Sequence, residues 1–341
     1  MSELRQDLIS GDWIILATER AKRPREFVQK KKSVSQRRHP TPIGDCPFED
    51  LEKSGNWPPI ETFPASAKAT ADKPDGKKWR VAVIPNKYPA LRHDNVCAMP
   101  FKTGPYERLS GIGRHDLVIT KNHRKNLAHL SEREGLELFE VLQKRYHELK
   151  KDKCLFYIST FFNWGDNAGA SLYHPHCQML SLPIIPPHIS RSLNGSSNYF
   201  KKHRRCVHCD IIGFEERNKR RVIIKNQAAV AVTPFVSREP FQIKIFPRKH
   251  QPYFEKTPAA EMKQIVSVLQ IVLKKIEKNL HDPDFNIFIH TAPFKNQSRY
   301  RHYHWHIEIL PKISRMAGFE LGTGVDINVV DPDAAAKILR K

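Results

Sequence analysis

The sequence predicts an α+β fold in which one unit, an antiparallel sheet with a long helix packed on it, is used twice. Three observations carry this reading. Two amphipathic helix patterns start 126 positions apart, at Ser131 and Thr257; a β-prone run follows each; and two His-x-His strands begin 130 positions apart, at His174 and His304. Landmarks that agree within a few positions mark an internal repeat. The units are expected over residues 1–184 and 185–341, in keeping with roughly 100–200 residues per domain.

The first helix opens on Ser131-Glu132-Arg133-Glu134, which has the form of a capping box, and Leu136, Phe139, Leu142 and Tyr146 then recur at helical spacing. The second opens on Thr257-Pro258, a cap residue followed by proline at the first helical position. Met262, Ile265, Leu269, Val272 and Ile276 keep the same period. Leu155–Thr160 and Phe285–His290 are the strands that follow the helices. Before each helix runs a strand ending near a histidine, 117–123 and 243–250, whose histidines His123 and His250 lie 127 positions apart. The last landmark sets His174-x-His176-x-Gln178 against His304-x-His306-x-Glu308. Alternate residues of a strand share a face, so His174, His176 and Gln178 are expected to project together. Residues 30–44 are basic and polar; 54–78 are rich in Pro, Ala and Lys and are expected to be a mobile insertion. Residues 183–205, with Pro186-Pro187 and Asn194-Gly195, are expected to link the units.

With 40% hydrophobic and 27% charged residues among 341, the composition is that of a globular protein. No apolar run reaches the ~18 residues of a membrane span, and the N-terminus lacks the pattern of a signal peptide, so a cytoplasmic protein is expected. Fifty-seven Lys and Arg against 36 Asp and Glu give a net charge of +21, a field that favours anionic ligands. Much of the excess sits in Lys30-Lys31-Lys32, Arg37-Arg38, Lys201-Lys202 and Arg204-Arg205, read as solvated loops, so nucleic acid is not the expected partner. The six cysteines do not read as a disulfide framework. Cys97, Cys154 and Cys177 are expected to be small buried hydrophobes, whereas Cys206-Val-His-Cys209 has metal-pair spacing.

The His174–Gln178 strand points to nucleotidyl transfer. A neutral imidazole can attack an α-phosphorus and form a phosphoramidate labile enough to pass its group on. The non-bridging oxygens then need donors. Gln178 supplies an amide on the same strand face. Upstream, the loop from Asn163 through Gly165 and Gly169 to Ser171 adds donors, and its glycines permit close backbone approach. Pro175 stiffens the backbone between the histidines. Two alternating histidines also suit a zinc strand or a plain core strand; the glycine loop, the hydroxyl and Gln178 decide between them. In the second copy Glu308 would repel phosphate and the loop 292–302 has no glycine, so that copy reads as a structural twin.

The best metal-ligand set is Cys206, Cys209, His250 and His304, two thiolates and two distant strand histidines suited to tetrahedral zinc. Its first-half analogue is Cys46, Glu49, His123 and His174, where a hard carboxylate oxygen weakens a soft-ligand site. A metal there would fix His174 and, through Pro175, aim His176. His302 is expected at the surface, and His208 is expected to point away from the cysteine pair.

With these residues the chain resembles the galactose-1-phosphate uridylyltransferase family, the nucleotidyltransferase branch of the histidine-triad superfamily, over nearly its whole length. Arg20-Ala-Lys-Arg23-Pro24 resembles the family's N-terminal nucleotide signature, Asn86–Leu91 its base and ribose motif, and Pro240-Phe241 with strand 242–246 its second-half signature. The resemblance implies two histidine-triad-like units, a homodimer, and a ping-pong reaction through a covalent nucleotidyl-histidine. It makes His176 the nucleophile, with Gln178 and Ser171 on the phosphates and Arg20, Arg23, Asn86, Asn163 and Gly169 at the nucleotide. Hydrolytic members carry a third histidine where Gln178 stands, which favours a transferase. Members similar to this chain often carry a cysteine where Glu49 stands. Phe319 and Glu320, in Gly318-Phe319-Glu320, correspond to the sugar-binding tail. The function expected first is UDP-glucose:hexose-1-phosphate (galactose-1-phosphate) uridylyltransferase, acting on a nucleotide sugar and a hexose 1-phosphate. The alternative is ADP-glucose phosphorylase with phosphate as acceptor, because the tail Gly318–Gly324 resembles plant-type relatives that phosphorolyse ADP-glucose. A basic zinc-containing nucleic-acid-binding module is the remote third reading.

Overall fold

The computed structural model describes residues 2–22, 41–56, 58–64, 79–94 and 96–341. Arg23, Lys30–Lys32 and Arg37-Arg38 lie outside the described residues. The chain opens with β1 (Glu3–Gln6) and β2 (Trp13–Leu16). Next come β3 (Glu61–Pro64), β4 (Trp79–Pro85), β5 (Pro100–Thr103), β6 (Tyr106–Leu109) and β7 (Arg114–Thr120). Helix α1 (Glu132–Leu149) precedes β8 (Tyr157–Trp164) and β9 (His176–Leu182). Helices α2 (Pro187–His203) and α3 (Val207–Asn218) lead to β10 (Val222–Lys225), β11 (Ala229–Val232) and β12 (Ile243–Pro247). Then follow α4 (Ala259–Asn279), β13 (Phe285–His290) and β14 (His306–Pro311). The chain closes with α5 (Gly318–Thr323), β15 (Asp326–Asn328) and α6 (Pro332–Arg340). No helix among the described residues is long and apolar enough to cross a membrane.

Among the described residues, ten strands form one antiparallel sheet in the order β10-β11-β12-β14-β13-β8-β9-β7-β4-β3. Read from its centre outward, each half repeats the other: β8 answers β13, β9 answers β14, and β7 answers β12. The duplicated α+β architecture is therefore present, but the two sheets anticipated from sequence are one. Strands β8 and β13 would otherwise be open edges with unpaired backbone groups. They pair instead, with Asn163 opposite Asn286 and Phe161 opposite Phe288.

Both long helices lie on one face. Ser131 accepts from the Glu134 backbone while the Glu134 carboxylate receives the Ser131 N–H, so α1 begins on the capping box that the sequence indicates. Helix α4 starts one residue later than its motif implies, with Pro258 itself at the N-cap. Leu138, Leu142, Ile265 and Leu269 are almost wholly buried in a core shared by both units, each contributing roughly 1.5–3 kcal/mol through burial. Two glutamines tie the units reciprocally. Gln143 on α1 donates to the carbonyls of Phe254 and Thr257, each at 2.9 Å. Gln270 on α4 donates to those of Leu127 and Leu130, at 3.2 and 2.9 Å. Donor and acceptors in the second set lie 127 positions from their counterparts, so each helix fastens the segment leading into the other.

Several sequence expectations are corrected. Residues 183–205 are not a loose linker, because Pro186 and Pro187 start α2 as N-cap and N1. Asn194-Gly195 lies inside that helix, and a side chain at Gly195 would meet the Ile9 carbonyl at 1.5 Å. The 54–78 insertion contains a real strand, β3, paired with β4. Cys97 and Cys154 form a disulfide with their Cα atoms 4.9 Å apart, a separation the bond requires. They stand 57 positions apart in sequence, so residue type alone does not bring them together. Cys177 is the buried small hydrophobe anticipated for it.

Candidate active site

Strand β9 begins at His176, and its residues alternate. Cys177 and Met179 enter the core beneath the helices, which turns His176 and Gln178 to the opposite face. His176 is buried, and its Nδ1 lies 2.9 Å from the His174 carbonyl oxygen. A carbonyl only accepts, so Nδ1 carries the proton and the Nε2 lone pair is left for chemistry. Burial lowers the pKa of the ring and favours its neutral form. The edge of Phe48 packs against it, with ring centres 5.4 Å apart.

His115 on β7, which the sequence reading missed, adjoins Gln178. Its Nε2 lies 2.9 Å from Gln178 Oε1, and its Nδ1 receives the Ala90 N–H at 3.2 Å. The Asn86 N–H donates to the His115 carbonyl at 2.8 Å, and Asn86 Oδ1 receives the Tyr88 N–H at 2.9 Å. The segment 86–90, expected from the sequence to serve the nucleotide, is thus fastened to the strand beside β9.

The glycine loop that follows β8 is shaped by the second half of the chain. Gly165 has φ +85°, and a Cβ there would lie 2.1 Å from the Asp284 carboxylate. Asp284 accepts from both the backbone and side-chain nitrogens of Asn167, at 2.9 and 2.8 Å. Asn286 on β13 donates to Asn163 Oδ1 at 2.9 Å and to the Ala168 carbonyl at 2.8 Å. With its oxygen engaged, Asn163 presents its amide nitrogen, which would lie 3.9 Å from a Cβ placed at Gly169. Ser171 is exposed at the end of the loop. The roles of Asp284 and Asn286 have no signal in the sequence, because they depend on β13 pairing with β8.

Both metal-ligand sets predicted from sequence converge, the donor atoms of each within 4.8 Å of one another. In the first, the Nε2 atoms of His123 and His174 lie at 2.8 and 2.7 Å from the carbonyls of Thr41 and Thr120. Each Nε2–H is thus committed to a carbonyl and each Nδ1 is turned inward, the two 3.3 Å apart, with Cys46 Sγ 3.4 Å from His174 Nδ1. Glu49 Oε1 completes the set at 3.2 Å from His123 Nδ1, and it finds no hydrogen-bond partner among the described residues. Burial, with a further effect of the His123 charge, pushes His174 down to about 4, so its ring is neutral. Four lone-pair donors turned on one point fit a tetrahedral cation, with the carbonyls fixing the rings. In the second set Cys209 Sγ lies 3.4 and 3.5 Å from the Nδ1 atoms of His250 and His304. His250 Nε2 is held by the Arg301 carbonyl at 2.8 Å, and Cys206 completes the group.

The second histidine strand repeats the first in altered form. His306 Nδ1 lies 3.2 Å from the His304 carbonyl. Glu308, in the place of Gln178, is engaged by His290 at 2.6 Å and by Gln242. Burial raises the Glu308 carboxyl, but the hydrogen bond and charge of His290 outweigh it and hold the group well below the usual carboxylate range. One expectation nearby is corrected. His302 is buried and donates to the Leu193 carbonyl at 3.2 Å, while His208 is enclosed between Tyr303 and His306. The small helix α3 carries His208 inward, which linear spacing does not reveal.

Arg20 and Glu320 meet across a cavity of about 730 Å³ that Asn167, Arg238 and Lys312 also line. Glu320 accepts the Ala317 N–H at 3.0 Å, and Phe319 is half exposed. The cavity joins the tail to the glycine loop, but His176, Gln178 and Ser171 are not among its walls.

Relatives agree with this architecture. ADP-glucose phosphorylase of Arabidopsis thaliana is 34% identical over 342 residues, covering 99% of this chain and 92% of that one. Galactose-1-phosphate uridylyltransferase of Thermotoga maritima is 26% identical over 350 residues, covering 100% and 98%. The crystal structure of the Arabidopsis ADP-glucose phosphorylase with bound ADP-glucose superposes with a TM-score of 0.81 at 30% identity, covering 100% and 99%. A Domain of unknown function (DUF4921) model matches residues 103–340. The molecule is a nucleotidyl-transferring enzyme. It belongs to the galactose-1-phosphate uridyl transferase family, whose N-terminal domain matches residues 1–186.

Proposed function

We propose that the protein transfers the nucleotidyl group of a nucleotide sugar through a covalent bond to His176, and that it acts as an ADP-glucose phosphorylase. The observation that carries the transfer step is the buried His176, whose Nδ1–H is engaged by the His174 carbonyl so that Nε2 is a free nucleophile. In the first half-reaction Nε2 attacks the α-phosphorus, a P–N bond forms, and the P–O bond to glucose 1-phosphate breaks. In the second, an oxygen of inorganic phosphate attacks the same phosphorus; ADP leaves and the histidine is restored. Gln178 and Ser171 donate to the non-bridging oxygens, where such donors contribute most. Asn86, Asn163, Gly169, Arg20 and Arg23 serve the nucleotide, and Glu320 with Phe319 serves the hexose.

Sequence alone placed uridylyl transfer first. The 34% identity with ADP-glucose phosphorylase along nearly all of both chains reverses that order. Transfer of UMP from UDP-glucose to a hexose 1-phosphate remains the second reading, favoured by the uridylyltransferase relative at 26% identity. Comparing kcat/KM for ADP-glucose plus phosphate with that for UDP-glucose plus galactose 1-phosphate separates the two. A preference for the uridine pair would overturn the adenylyl assignment. Oligonucleotide binding with steep salt dependence, without turnover of either sugar nucleotide, would instead favour a nucleic-acid module.

We further propose that both convergent donor sets take zinc, with Cys206, Cys209, His250 and His304 as the softer and tighter site. Zinc bound by Cys46, Glu49, His123 and His174 would supply a fixed positive anchor for His174, whose carbonyl orients His176. A cytoplasmic homodimer of two histidine-triad-like units, 1–184 and 185–341, is part of the same proposal.

A further inference from the structure

Gln178 is a useful phosphate donor only if its amide nitrogen, and not its oxygen, faces the reacting phosphorus. We propose that His115 is a positioning residue that sets this orientation; the inference rests on the reading of His176 as the nucleophile.

The Ala90 and Gln178 contacts select one arrangement of protons in the neutral ring, although the Asn86 amide nitrogen also lies 3.4 Å from Nδ1 and 3.3 Å from Nε2. His115 Nδ1 receives the Ala90 N–H at 3.2 Å, so that nitrogen is unprotonated. A neutral ring then carries its proton on Nε2, which lies 2.9 Å from Gln178 Oε1 and donates to it. With its oxygen used, Gln178 presents both amide hydrogens on the side away from His115. Flipping the amide would set an NH2 against an N–H, and the other ring tautomer would do the same to Ala90. The ring is held in turn by its own backbone, where the His115 carbonyl receives the Asn86 N–H at 2.8 Å.

The repeat gives independent support. Gln242 stands 127 positions after His115, the same interval that separates His123 from His250. In the second half Gln242 Nε2 donates to Oε1 of Glu308, the residue that answers Gln178. Each half therefore places a side-chain donor behind this strand position. In the half that keeps Gln178 the donor is an imidazole whose other nitrogen reads the nucleotide-motif backbone.

The test compares His115→Phe, His115→Gln, Gln178→Ala and His115→Phe/Gln178→Ala, assayed with ADP-glucose plus phosphate and with UDP-glucose plus galactose 1-phosphate. His115→Phe is expected to lower kcat roughly tenfold to hundredfold at little-changed KM, short of the ~100- to 1,000-fold loss typical of deleting a transition-state donor. His115→Gln, which can still donate to Gln178 and accept from Ala90, should recover most of the rate. The double variant should be no slower than Gln178→Ala alone, since a positioning residue has nothing left to position. Additive losses, or a His115→Gln variant as slow as His115→Phe, would overturn the proposal. If Gln178→Ala were fully active, the assignment of Gln178 would fall, and His115 with it. If His176→Ala still turned over, the nucleophile assignment would fall separately. Nitrogen-15 NMR of the histidine rings gives a readout that needs no activity. His115 must show Nε2–H and bare Nδ1, and the reverse tautomer refutes the inference whatever the kinetics.

Discussion

Asn286 links the junction of the two halves to the candidate site, and Asn286→Leu tests that link. The side chain is 8% exposed and donates to the Ala168 carbonyl at 2.8 Å and to Asn163 Oδ1 at 2.9 Å. Leucine is similar in size but cannot donate. The Ala168 carbonyl, in a buried residue, would lose its donor at a cost of about 1–3 kcal/mol, and the bond to half-buried Asn163 adds about 0.5–1.5 kcal/mol. The sum is about 1.5–4.5 kcal/mol. With an unfolding entropy of ~2.1 cal/mol/K per residue, a chain of 341 residues changes by about 0.7 kcal/mol per degree. Tm should therefore fall by roughly 2–6 °C. Asn163 would also be free to turn its oxygen toward the nucleotide, so kcat should fall roughly tenfold to hundredfold, as for a misdirected donor. Calorimetry and steady-state kinetics with ADP-glucose read the two effects. An unchanged Tm would refute the energetic argument, and a lowered Tm with normal kcat would refute the claim that Asn286 orients Asn163.

Five other substitutions have stated outcomes. Gln143→Leu should destabilise by about 1–3 kcal/mol, because the Thr257 carbonyl loses its donor while that of Phe254 keeps the Thr257 N–H, and Gln270→Leu by about 2–6 kcal/mol, because the carbonyls of Leu127 and Leu130 both lose theirs; a neutral result by denaturant titration at either position would refute the role of that tie. Cys206→Ser should remove about one zinc per chain by elemental analysis, and unchanged zinc content would sink that site. Glu49→Cys should slow zinc loss to a chelator from the first set, since thiolate suits the ion better than carboxylate; faster loss would mean Glu49 is the better ligand there. Cys97→Ser removes a cross-link spanning 57 positions, worth up to about 4 kcal/mol by loop entropy. Thiol titration should show one new free thiol in that variant, and an unchanged count would contradict the bond.

What could be read along the chain was whatever depends on local pattern. The helices at Ser131 and Pro258, the strand 285–290 and the His-x-His pairs rest on periodicity and capping chemistry, and the repeat then aligned them. The metal-ligand sets were legible because the repeat places His250 and His304 where His123 and His174 stand in the first half. Other features depend on pairing between distant segments. Joining β8 to β13 makes one sheet and delivers Asp284 and Asn286 to the glycine loop, and no spacing rule announces that. His115 escaped notice because its partner, Gln178, is a neighbour only across the β7–β9 pair. The Pro186-Pro187 step was misread for a different reason: the same residue that breaks a helix interior also starts one. The burial of His208 and the Cys97–Cys154 bond likewise depend on where separate segments pack.

The central claim is the covalent histidine, and intact-mass measurement addresses it most directly. The protein is mixed with ADP-glucose, and separately with UDP-glucose, in the absence of any acceptor. A gain equal to one AMP should appear with ADP-glucose, map to the peptide containing His176, vanish on adding phosphate, and be missing from His176→Ala. Turnover of either sugar nucleotide by His176→Ala, or an adduct mapped to any other residue, would contradict the account.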